Sequence, residues 1–333
     1  MTGVNGDKAP NIALIGGGTG SFTLLQELKD ITPNISAIVN MSDDGGSTGV
    51  LRDELGVLPP GDVRQCLVAL SDSPVAREIF NYRFGGKSRF SGHTIGNLIL
   101  AGLELKDGSF DQALKDASSL LQITGQVIPV TLEQHVLTML DGDELIKGEH
   151  KIGHRPINSQ GAKVSLEPYA KLNPEAKSAI RDADLVMIAP GNLYGSILPS
   201  LAVDGMREAF EKSKAKRVMI SNLVTKPGQT TDWHVVDYAK TIEQYIGEDS
   251  LDYVLYNQDL PSSELLEKYA AEGEFPVRTE PERFSEISAQ AIGANLVASN
   301  FAHQDENDKA IRRTLIRHDA HQVGRQLMGI LYQ

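Results

Sequence analysis

The sequence predicts an α/β protein with a Rossmann-like three-layer fold, in which helices cover both faces of a mainly parallel sheet. Strand and helix patterns alternate over the first hundred residues and again after residue 183. The strands are nearly continuous apolar runs, which is typical of parallel strands buried on both faces. A hairpin pattern in the middle of the chain adds a small antiparallel excursion.

The elements of the first half follow in order. Residues 12–15 predict a strand, 22–29 a helix and 35–41 a second strand. Further helices are expected over 62–70, 73–84, 94–105 and 109–123. The Pro-Pro-Gly-Asp turn makes Asp62 the predicted N-cap of the first of these helices, and Ser109 is the predicted cap of the last.

The second half begins with a change of pattern. Residues 135–152 predict two short strands around an Asp141–Gly142 turn, and with 162–168 they form a β-rich insertion near 135–168. We expect this insertion to be an edge extension of the main sheet or a separate lobe. Alternation then resumes, with strands over 183–191, 216–224 and 251–257, helices near 202–213 and 232–246, and a closing helix over 318–331. We expect residues 1–10 to be flexible and 11–333 to form a single domain.

Composition argues against several classes of protein. The chain of 333 residues carries a formal net charge of −12, whereas a general nucleic-acid binder needs a basic surface. Cys66 is the only cysteine, which excludes a disulfide framework and predicts a buried, inert thiol. No apolar run approaches the roughly 18 residues of a membrane span, and the polar N-terminal stretch does not resemble a signal peptide. We therefore expect a cytoplasmic protein, with the acidic stretch 303–313 as a solvated loop.

Polar and glycine-rich segments follow five of the predicted strands. They read GGGTGS, SDDGGSTG, APGNLYGS, SNLVTKPGQTTD and YNQDLP in chain order. In open parallel sheets, ligands bind outside the carboxyl ends of the strands. Five such segments on one edge therefore predict a ligand site there.

The first segment has the glycine content of a phosphate-binding turn. It contains Gly17, Gly18, Thr19 and Gly20, but Ser21 stands where the dinucleotide fingerprint has its third glycine. The lysine of a Walker A loop is also missing. Glycines nevertheless let the backbone approach an anion, and the helix expected to begin near Ser21 offers free N–H groups and a positive dipole end. The segment predicts phosphate binding, with a tight turn that holds no ligand as the alternative.

The second segment brings two adjacent carboxylates to the end of a strand. Asp43 and Asp44 lie near the place where a Rossmann unit carries the acid that binds the ribose hydroxyls. They could instead share a Mg²⁺ that bridges ligand phosphates, or simply form a turn. The sequence leaves these readings open.

Other candidates lie in the remaining segments. Asp62 is either a helix cap or a site residue. His93 precedes the next helix and is either a general base or a cap of that helix. Asn97 lies one turn into the same helix. The turn at Gly191 and Asn192 offers backbone amides. Lys226 is a cation well placed for phosphate. Serine-hydrolase and zinc-protease motifs do not occur, and the histidines show no metal-ligand spacing. The residues alone thus indicate a nucleotide or phosphate binder, with transferase chemistry left open.

Several of these segments together resemble a known family. The stretches IGGGTG, MSDDGGSTGVLRDELGVLPPGDVRQCLVAL, GHTIGNLILAGL, DLVMIAPGNLYGSILPSLAV, SNLVTKPGQT and IRHD are similar to the gluconeogenesis factor (YvcK-like) family, within the CofD-like superfamily of 2-phospho-L-lactate transferase. The resemblance runs from about residue 11 to 331. It implies a Rossmann-like core, a cytoplasmic protein and the binding of UDP-sugars such as UDP-N-acetylglucosamine or UDP-glucose.

The resemblance also implies roles for single residues. It assigns nucleotide or phosphate contacts to Gly17, Gly18, Thr19, Gly20, Asp43, Asp44, Asn97, Gly191 and Asn192. It adds two UDP-sugar contacts, Tyr269 in the KYA segment and Arg317 in IRHD. A tyrosine ring can stack on a uracil or sugar, and an arginine can bind a diphosphate through two hydrogen bonds.

Three functions follow as hypotheses. The first is a UDP-sugar-binding regulator that supports cell shape and cell-wall synthesis during gluconeogenic growth, without turnover of its own. The alternative is a Mg²⁺-dependent 2-phospho-L-lactate transferase that acts on a deazaflavin alcohol. An NAD-dependent oxidoreductase is a third hypothesis, which Ser21 disfavours. A homodimer is left open as the oligomeric state.

Overall fold

The computed structural model describes residues 8–157, 161–298 and 316–333. Its strands are, in chain order, β1 (Ile12–Gly16), β2 (Ile35–Val39), β3 (Gln126–Pro129), β4 (Val136–Asp141), β5 (Glu144–Lys147), β6 (Lys163–Glu167), β7 (Leu185–Ile188), β8 (Lys216–Ile220), β9 (Tyr253–Asn257) and β10 (Gln290–Ala294). Seven of them form one sheet in the order β10-β9-β8-β7-β1-β2-β3, and every pair in it is parallel. The predicted mainly parallel sheet is confirmed.

The α-helices are α1 (Gly18–Ile31), α2 (Gly46–Leu55), α3 (Gly61–Leu70), α4 (Pro74–Asn81), α5 (Ile95–Asp107), α6 (Phe110–Leu121), α7 (Glu149–Gly153), α8 (Pro174–Asp182), α9 (Leu198–Leu201), α10 (Met206–Lys212), α11 (Val235–Ile246), α12 (Ser263–Ala270) and α13 (Ala320–Leu331). A π-helical turn (Leu193–Ile197) and a 3₁₀ turn (Pro281–Glu286) complete the helical elements. Helix α1 packs against α3 and α13, and α10 packs against α8 and α11. Among the described residues, no helix is long and apolar enough to cross a bilayer.

Burial follows the apolar pattern of the strands. All residues of β1 and β7, at the centre of the sheet, are buried, whereas the edge strand β10 is largely half-buried or exposed. Cys66 lies in this core, and burial raises the pKa of its thiol, as the prediction of an inert cysteine requires.

The β-rich insertion forms its own sheet. Strands β4, β5 and β6 pair antiparallel in the order β5-β4-β6, separate from the seven-stranded sheet. The predicted turn is present, because Asp141 pairs with Glu144 and Gly142 has a φ of +63°, which favours glycine. The expectations for residues 1–7 and for the acidic stretch 303–313 lie outside the described residues.

The order of the strands fixes where a ligand can bind. The chain runs outward from β1 through β2 to β3, and then from β7 outward on the other side of β1. The topological switch point is therefore between β1 and β7, where the connections leave in opposite directions. The GGGTG turn follows β1 there, and the Gly191–Asn192 turn follows β7.

Candidate functional site

The glycine turn forms the beginning of helix α1. Gly17 is the N-cap, so Gly18, Thr19 and Gly20 make up the first helical turn. The prediction that the helix begins near Ser21 was therefore wrong by one turn, because glycines are tolerated at a helix start that other contacts hold in place. Backbone N–H groups in a first turn have no carbonyl partner within the helix. The turn thus presents amides at the switch point.

Close contacts explain why glycines occupy this turn. A Cβ on Gly20 would collide with the carbonyl oxygen of Pro190, and a Cβ on Gly17 would lie 3.0 Å from Ser196. Ser21 is fully buried, and its Oγ would be 2.6 Å from a Cβ on Gly16. In a dinucleotide fingerprint, the third glycine lets the helix pack closely against the strand. Here Gly16, at the end of the strand, allows the same close packing.

Asp62 is aimed at the glycine turn. Helix α3 begins at Gly61 and follows Pro60, so the prediction of Asp62 as N-cap was wrong. Its carboxylate instead accepts hydrogen bonds from the Gly18 backbone N–H and the Asn40 side chain. Burial, and then the negative charge of Asp43, raises the pKa of Asp62 to about 7. This carboxylate therefore occupies part of the positive end of α1.

Asp43 and Asp44 point to different partners. The Asp43 carboxylate accepts a hydrogen bond from the Gly45 N–H at 3.0 Å, and burial raises its pKa. Asp44 accepts from the backbone N–H groups of Glu149 and His150, at 2.9 and 2.7 Å, and so binds the first turn of α7. Of the two, Asp43 is the one whose charge raises the pKa of Asp62.

Glu149 is a site residue that the sequence analysis missed. Burial raises its pKa to about 7, and the charges of Asp43, Asp44 and Asp62 contribute, whereas Lys226 opposes the shift. The Oε1 atom of Glu149 also lies close to Gly153, because a Cβ at that glycine would be 3.4 Å from it. The only local signal was an acidic residue after Gly148, in a segment that otherwise reads as part of a hairpin. The insertion therefore brings a fourth carboxylate to the site, and we call Asp43, Asp44, Asp62 and Glu149 the acidic cluster.

The carboxylates do not form a closed metal site. Within the ranges the structure describes, no three His, Cys, Asp or Glu side chains are grouped closely enough to hold a metal ion. Mg²⁺ commonly uses one or two carboxylates together with the phosphates of a ligand. Asp43 and Asp62 fit that arrangement, because the charge of Asp43 is close enough to raise the pKa of Asp62, whose carboxylate accepts a hydrogen bond from Gly18 in the glycine turn. They are the residues that would hold Mg²⁺ if it arrives with a phosphorylated ligand.

Asn97 lies in a buried polar network behind the acids. Its Oδ1 accepts from Nε of Arg64 at 3.0 Å, and its Nδ2 donates to Ser47 Oγ at 3.4 Å. Ser47 Oγ also lies 2.8 Å from His93 Nδ1. Thr94, and not His93, caps α5. Arg64 is buried and lowers the pKa of Asp62, so Asn97 positions the cation that faces the acidic cluster.

The Gly191–Asn192 turn is held by an asparagine after β8. The Asn222 side chain accepts from the Gly191 N–H at 3.0 Å and donates to the Gly191 carbonyl at 2.9 Å. Asn192 Oδ1 accepts from the Gly195 N–H at 3.2 Å and begins the π-helical turn. Asn222 was not among the predicted site residues, although it lies in a strand-end segment.

Lys226 is half-buried on the same edge of the sheet. Its burial lowers the pKa of its amine, and the carboxylates of Glu149 and Glu274 oppose that shift. Lys226 thus faces the acidic cluster through Glu149. The positive charge of Lys226 in turn opposes the rise in the pKa of Glu149.

Tyr269 and Arg317 are brought together by the end of the chain. Tyr269 is 8% exposed, and its hydroxyl accepts a hydrogen bond from the backbone N–H of Ile316 at 2.9 Å. His318 Nε2 lies 3.0 Å from the carbonyl oxygen of Ser221, and burial lowers the pKa of this histidine to about 4. Arg317 therefore lies between two anchored residues, one of which contacts the end of β8 beside Asn222.

A cavity lies at the opposite edge of the sheet. A space of about 680 Å³ is bordered by Asn11, Ile35, Gly125 and Gln126 at the amino ends of β1, β2 and β3. It is on the opposite edge of the sheet from the glycine turn. None of the predicted site residues lines it.

Comparisons with known proteins agree with this architecture. The family of 2-phospho-L-lactate transferase CofD matches residues 12–297. A putative gluconeogenesis factor of Thermotoga maritima is 40% identical over 314 residues, covering 93% of this chain and 95% of the relative. The gluconeogenesis factor of Bacillus subtilis is 37% identical over 327 residues, covering 97% and 99%.

A solved structure extends the comparison to the fold. A Bacillus halodurans protein of the UPF0052 family superimposes with a TM-score of 0.87 at 34% identity, covering 97% of this chain and 100% of the other. The chain therefore belongs to the CofD family, among the relatives named gluconeogenesis factors.

Proposed function

We propose that this protein binds a UDP-sugar, UDP-N-acetylglucosamine or UDP-glucose, at the switch point between β1 and β7. On this proposal it is a cytoplasmic regulator that supports cell shape and cell-wall synthesis during gluconeogenic growth and does not turn its ligand over. The names of its relatives support the link to gluconeogenesis. The UDP-sugar rests on the site argued below, and the regulatory role rests on the resemblance to the gluconeogenesis factor family.

The observation that carries the proposal is the first turn of α1. Gly18 donates its N–H to Asp62, which leaves the amides of Thr19 and Gly20 in the same turn for an anion. Thr19 is exposed and Gly20 is half-buried, so a diphosphate can reach both from solvent. The Gly191–Asn192 turn lies against Gly20 and forms the opposite wall.

The acidic cluster makes diphosphate binding depend on charge. An ionised Asp62 repels a phosphate at the α1 N-terminus, whereas a neutral Asp62 does not. Because its pKa is raised to about 7, Asp62 can be neutralised by a proton near neutral pH. A Mg²⁺ ion held by Asp43 and Asp62 would offset the negative charge in the same way. We expect ligand binding to strengthen when either is supplied.

The anchored segment around Arg317 supplies the other half of the site. Arg317 lies on the edge that carries Asn222, and a guanidinium can clamp a diphosphate through two hydrogen bonds. The Tyr269 ring is buried, so we assign to Tyr269 the positioning of residues 316–318 through its hydroxyl and not stacking on the uracil.

Isothermal titration of the protein with UDP-N-acetylglucosamine and Mg²⁺ tests this function. We expect saturable binding with a Kd below about 1 mM. Arg317→Ala should weaken it about tenfold or more, since a charge-assisted hydrogen bond contributes about 1.5–3 kcal/mol. Arg325→Ala, an exposed arginine on α13, is the matched control and should bind like the unaltered protein. Absence of heat at millimolar ligand, with UDP-glucose as well, contradicts the proposal.

The second candidate is the transferase reaction of the CofD family. The family match and the Asp43–Asp62 pair favour it. The donor would be a guanosine diphosphate whose outer phosphate carries a lactyl group. The hydroxyl oxygen of a deazaflavin alcohol would form a bond to that outer phosphorus, and the bond between this phosphorus and the bridging oxygen would break, so that GMP leaves. The hydroxyl proton would pass to a carboxylate. Incubation with both substrates and Mg²⁺ should then release GMP. No release excludes this candidate.

A further inference from the structure

Helix α4 exposes an apolar stripe to solvent. Val75 and Ile79 on α4 and Tyr82, directly after its last residue, are spaced four and three residues apart and are 66%, 45% and 56% exposed. Residues four and three positions apart share one face of a helix. The opposite face carries Phe80, which is 1% exposed and belongs to the core. The helix therefore has a second apolar face that no described part of the chain covers.

The loop after α4 extends this stripe with aromatic rings. The Tyr82 and Phe84 ring centroids are 5.6 Å apart in an edge-on arrangement, and those of Phe84 and Phe90 are 5.7 Å apart. Phe90 is 55% exposed. Contiguous exposed apolar side chains of this kind mark interaction surfaces more often than isolated ones do.

The same loop is basic in an acidic protein. Residues 82–92 contain Arg83, Lys87 and Arg89 and no acidic residue, whereas the chain as a whole has a net charge of −12. At physiological ionic strength charges are screened beyond about 8 Å, so a partner at this loop experiences the local cations more strongly than the distant acids. The surface is thus complementary to a partner that carries carboxylates.

Backbone hydrogen bonds hold the loop in place. The Phe84 N–H donates to the His93 carbonyl at 2.9 Å, and the Gly92 N–H donates to the Phe84 carbonyl at 2.8 Å. Arg83 donates to the Gly92 carbonyl at 2.6 Å. A loop tied in this way loses little conformational entropy when a partner binds.

We propose that the surface formed by Val75, Ile79 and residues 82–90 docks an acidic segment of another protein, with aromatic or aliphatic side chains between its carboxylates. We name it the α4 surface. A symmetric contact with a second copy of this chain would bring two basic loops together, so it fits less well. The proposal goes beyond nucleotide-sugar binding and does not depend on it.

Fluorescence anisotropy with a defined probe tests the α4 surface. The probe is a fluorescein-labelled peptide of sequence DEDFEELDE, and the matched peptide NQNFQQLNQ has the same shape without the charges. The acidic peptide should bind the full chain and lose at least tenfold in affinity when salt is raised from about 50 to about 300 mM. The amide peptide should bind at least tenfold more weakly.

Two variants and their control locate the binding. Lys87→Glu combined with Arg89→Glu, and separately Phe90→Ser, should each reduce peptide affinity at least tenfold. The charge-matched control, Lys214→Glu combined with Arg325→Glu, should bind the peptide within twofold of the unaltered chain. Equal losses in the control, or no peptide binding at all, overturn the proposal. Co-sedimentation with phosphatidylserine vesicles, or binding of poly(U), that depends on Lys87 and Arg89 while the peptide does not bind also overturns it.

Discussion

Asp62→Asn should stabilise the folded protein at alkaline pH and not at acidic pH. The wild-type carboxylate is held beside Asp43 at the start of α1, and its pKa is raised from 3.8 to about 7. A group with a raised pKa in the folded state keeps its proton while the unfolded chain has already released it. The stability of the wild type therefore falls as pH rises from about 4 to about 7, and the loss is complete above that window.

The size of the effect follows from the shift. About three pKa units at 1.36 kcal/mol each amount to about 4 kcal/mol of lost stability in the wild type above pH 7. Asparagine carries no charge and keeps one oxygen for the Gly18 N–H or the Asn40 amide, but it loses one acceptor, which costs about 1–2 kcal/mol. The variant should therefore be about 2–3 kcal/mol more stable than the wild type at pH 8, and close to equal at pH 4.5.

Urea unfolding followed by circular dichroism at several pH values measures this difference. The midpoint should move to higher urea in the variant at pH 8, with an unchanged slope. Asp30→Asn, an exposed carboxylate at the end of α1, is the control and should change stability by less than about 0.5 kcal/mol at every pH. A difference between Asp62→Asn and wild type that is independent of pH, or a variant less stable at pH 8, refutes the reasoning.

Further substitutions probe the two turns of the site. Gly20→Ala should destabilise the fold by about 1–3 kcal/mol and weaken UDP-sugar binding, because its Cβ meets the rigid carbonyl of Pro190. Gly102→Ala, with open space around its Cβ on α5, should stabilise the fold by about 0.5–1 kcal/mol and leave binding unchanged. Thermal unfolding measures the stability of each alanine variant, and titration measures its ligand affinity. Equal behaviour of the two variants contradicts the packing argument. Asn222→Ala should cost about 1–3 kcal/mol and lower ligand affinity, because the two backbone groups of Gly191 lose their partner. An Asn222→Ala variant with native stability and affinity would show that the two hydrogen bonds to Gly191 are dispensable.

The sheet could be predicted from local patterns, because its central strands are short apolar runs that lie between polar turns. Asp141 and Gly142 likewise specified their hairpin within two residues. Strands β3 and β10 were not predicted, since they are the two edge strands of the sheet and their sequences, QVIP and QAIGA, lack the continuous apolar run of the central strands. Short segments of this kind carry too little periodicity to identify.

The candidate site was predictable only where its residues follow a strand directly. The glycine turn and Asp43 do so, and the structure brings them to one edge. Glu149 reaches Asp44 from 105 residues away, through a helix of the insertion, and no local pattern announces such a contact. Asp62 was taken for a cap because it follows a turn, but the Gly18 amide and Asn40 attract its carboxylate instead. In both cases, contacts with residues distant in sequence place the residue in the site, and the local sequence pattern does not reveal them.

A crystal of the protein grown at neutral pH and soaked with UDP-N-acetylglucosamine and Mg²⁺ tests the central claim most directly. The account predicts density for the diphosphate within about 3.2 Å of the Thr19 and Gly20 backbone nitrogens, with Arg317 on its far side. It also predicts the metal against Asp43 and Asp62. A ligand bound in the cavity at the amino ends of β1 to β3, or a glycine turn left empty at saturating ligand, would contradict it.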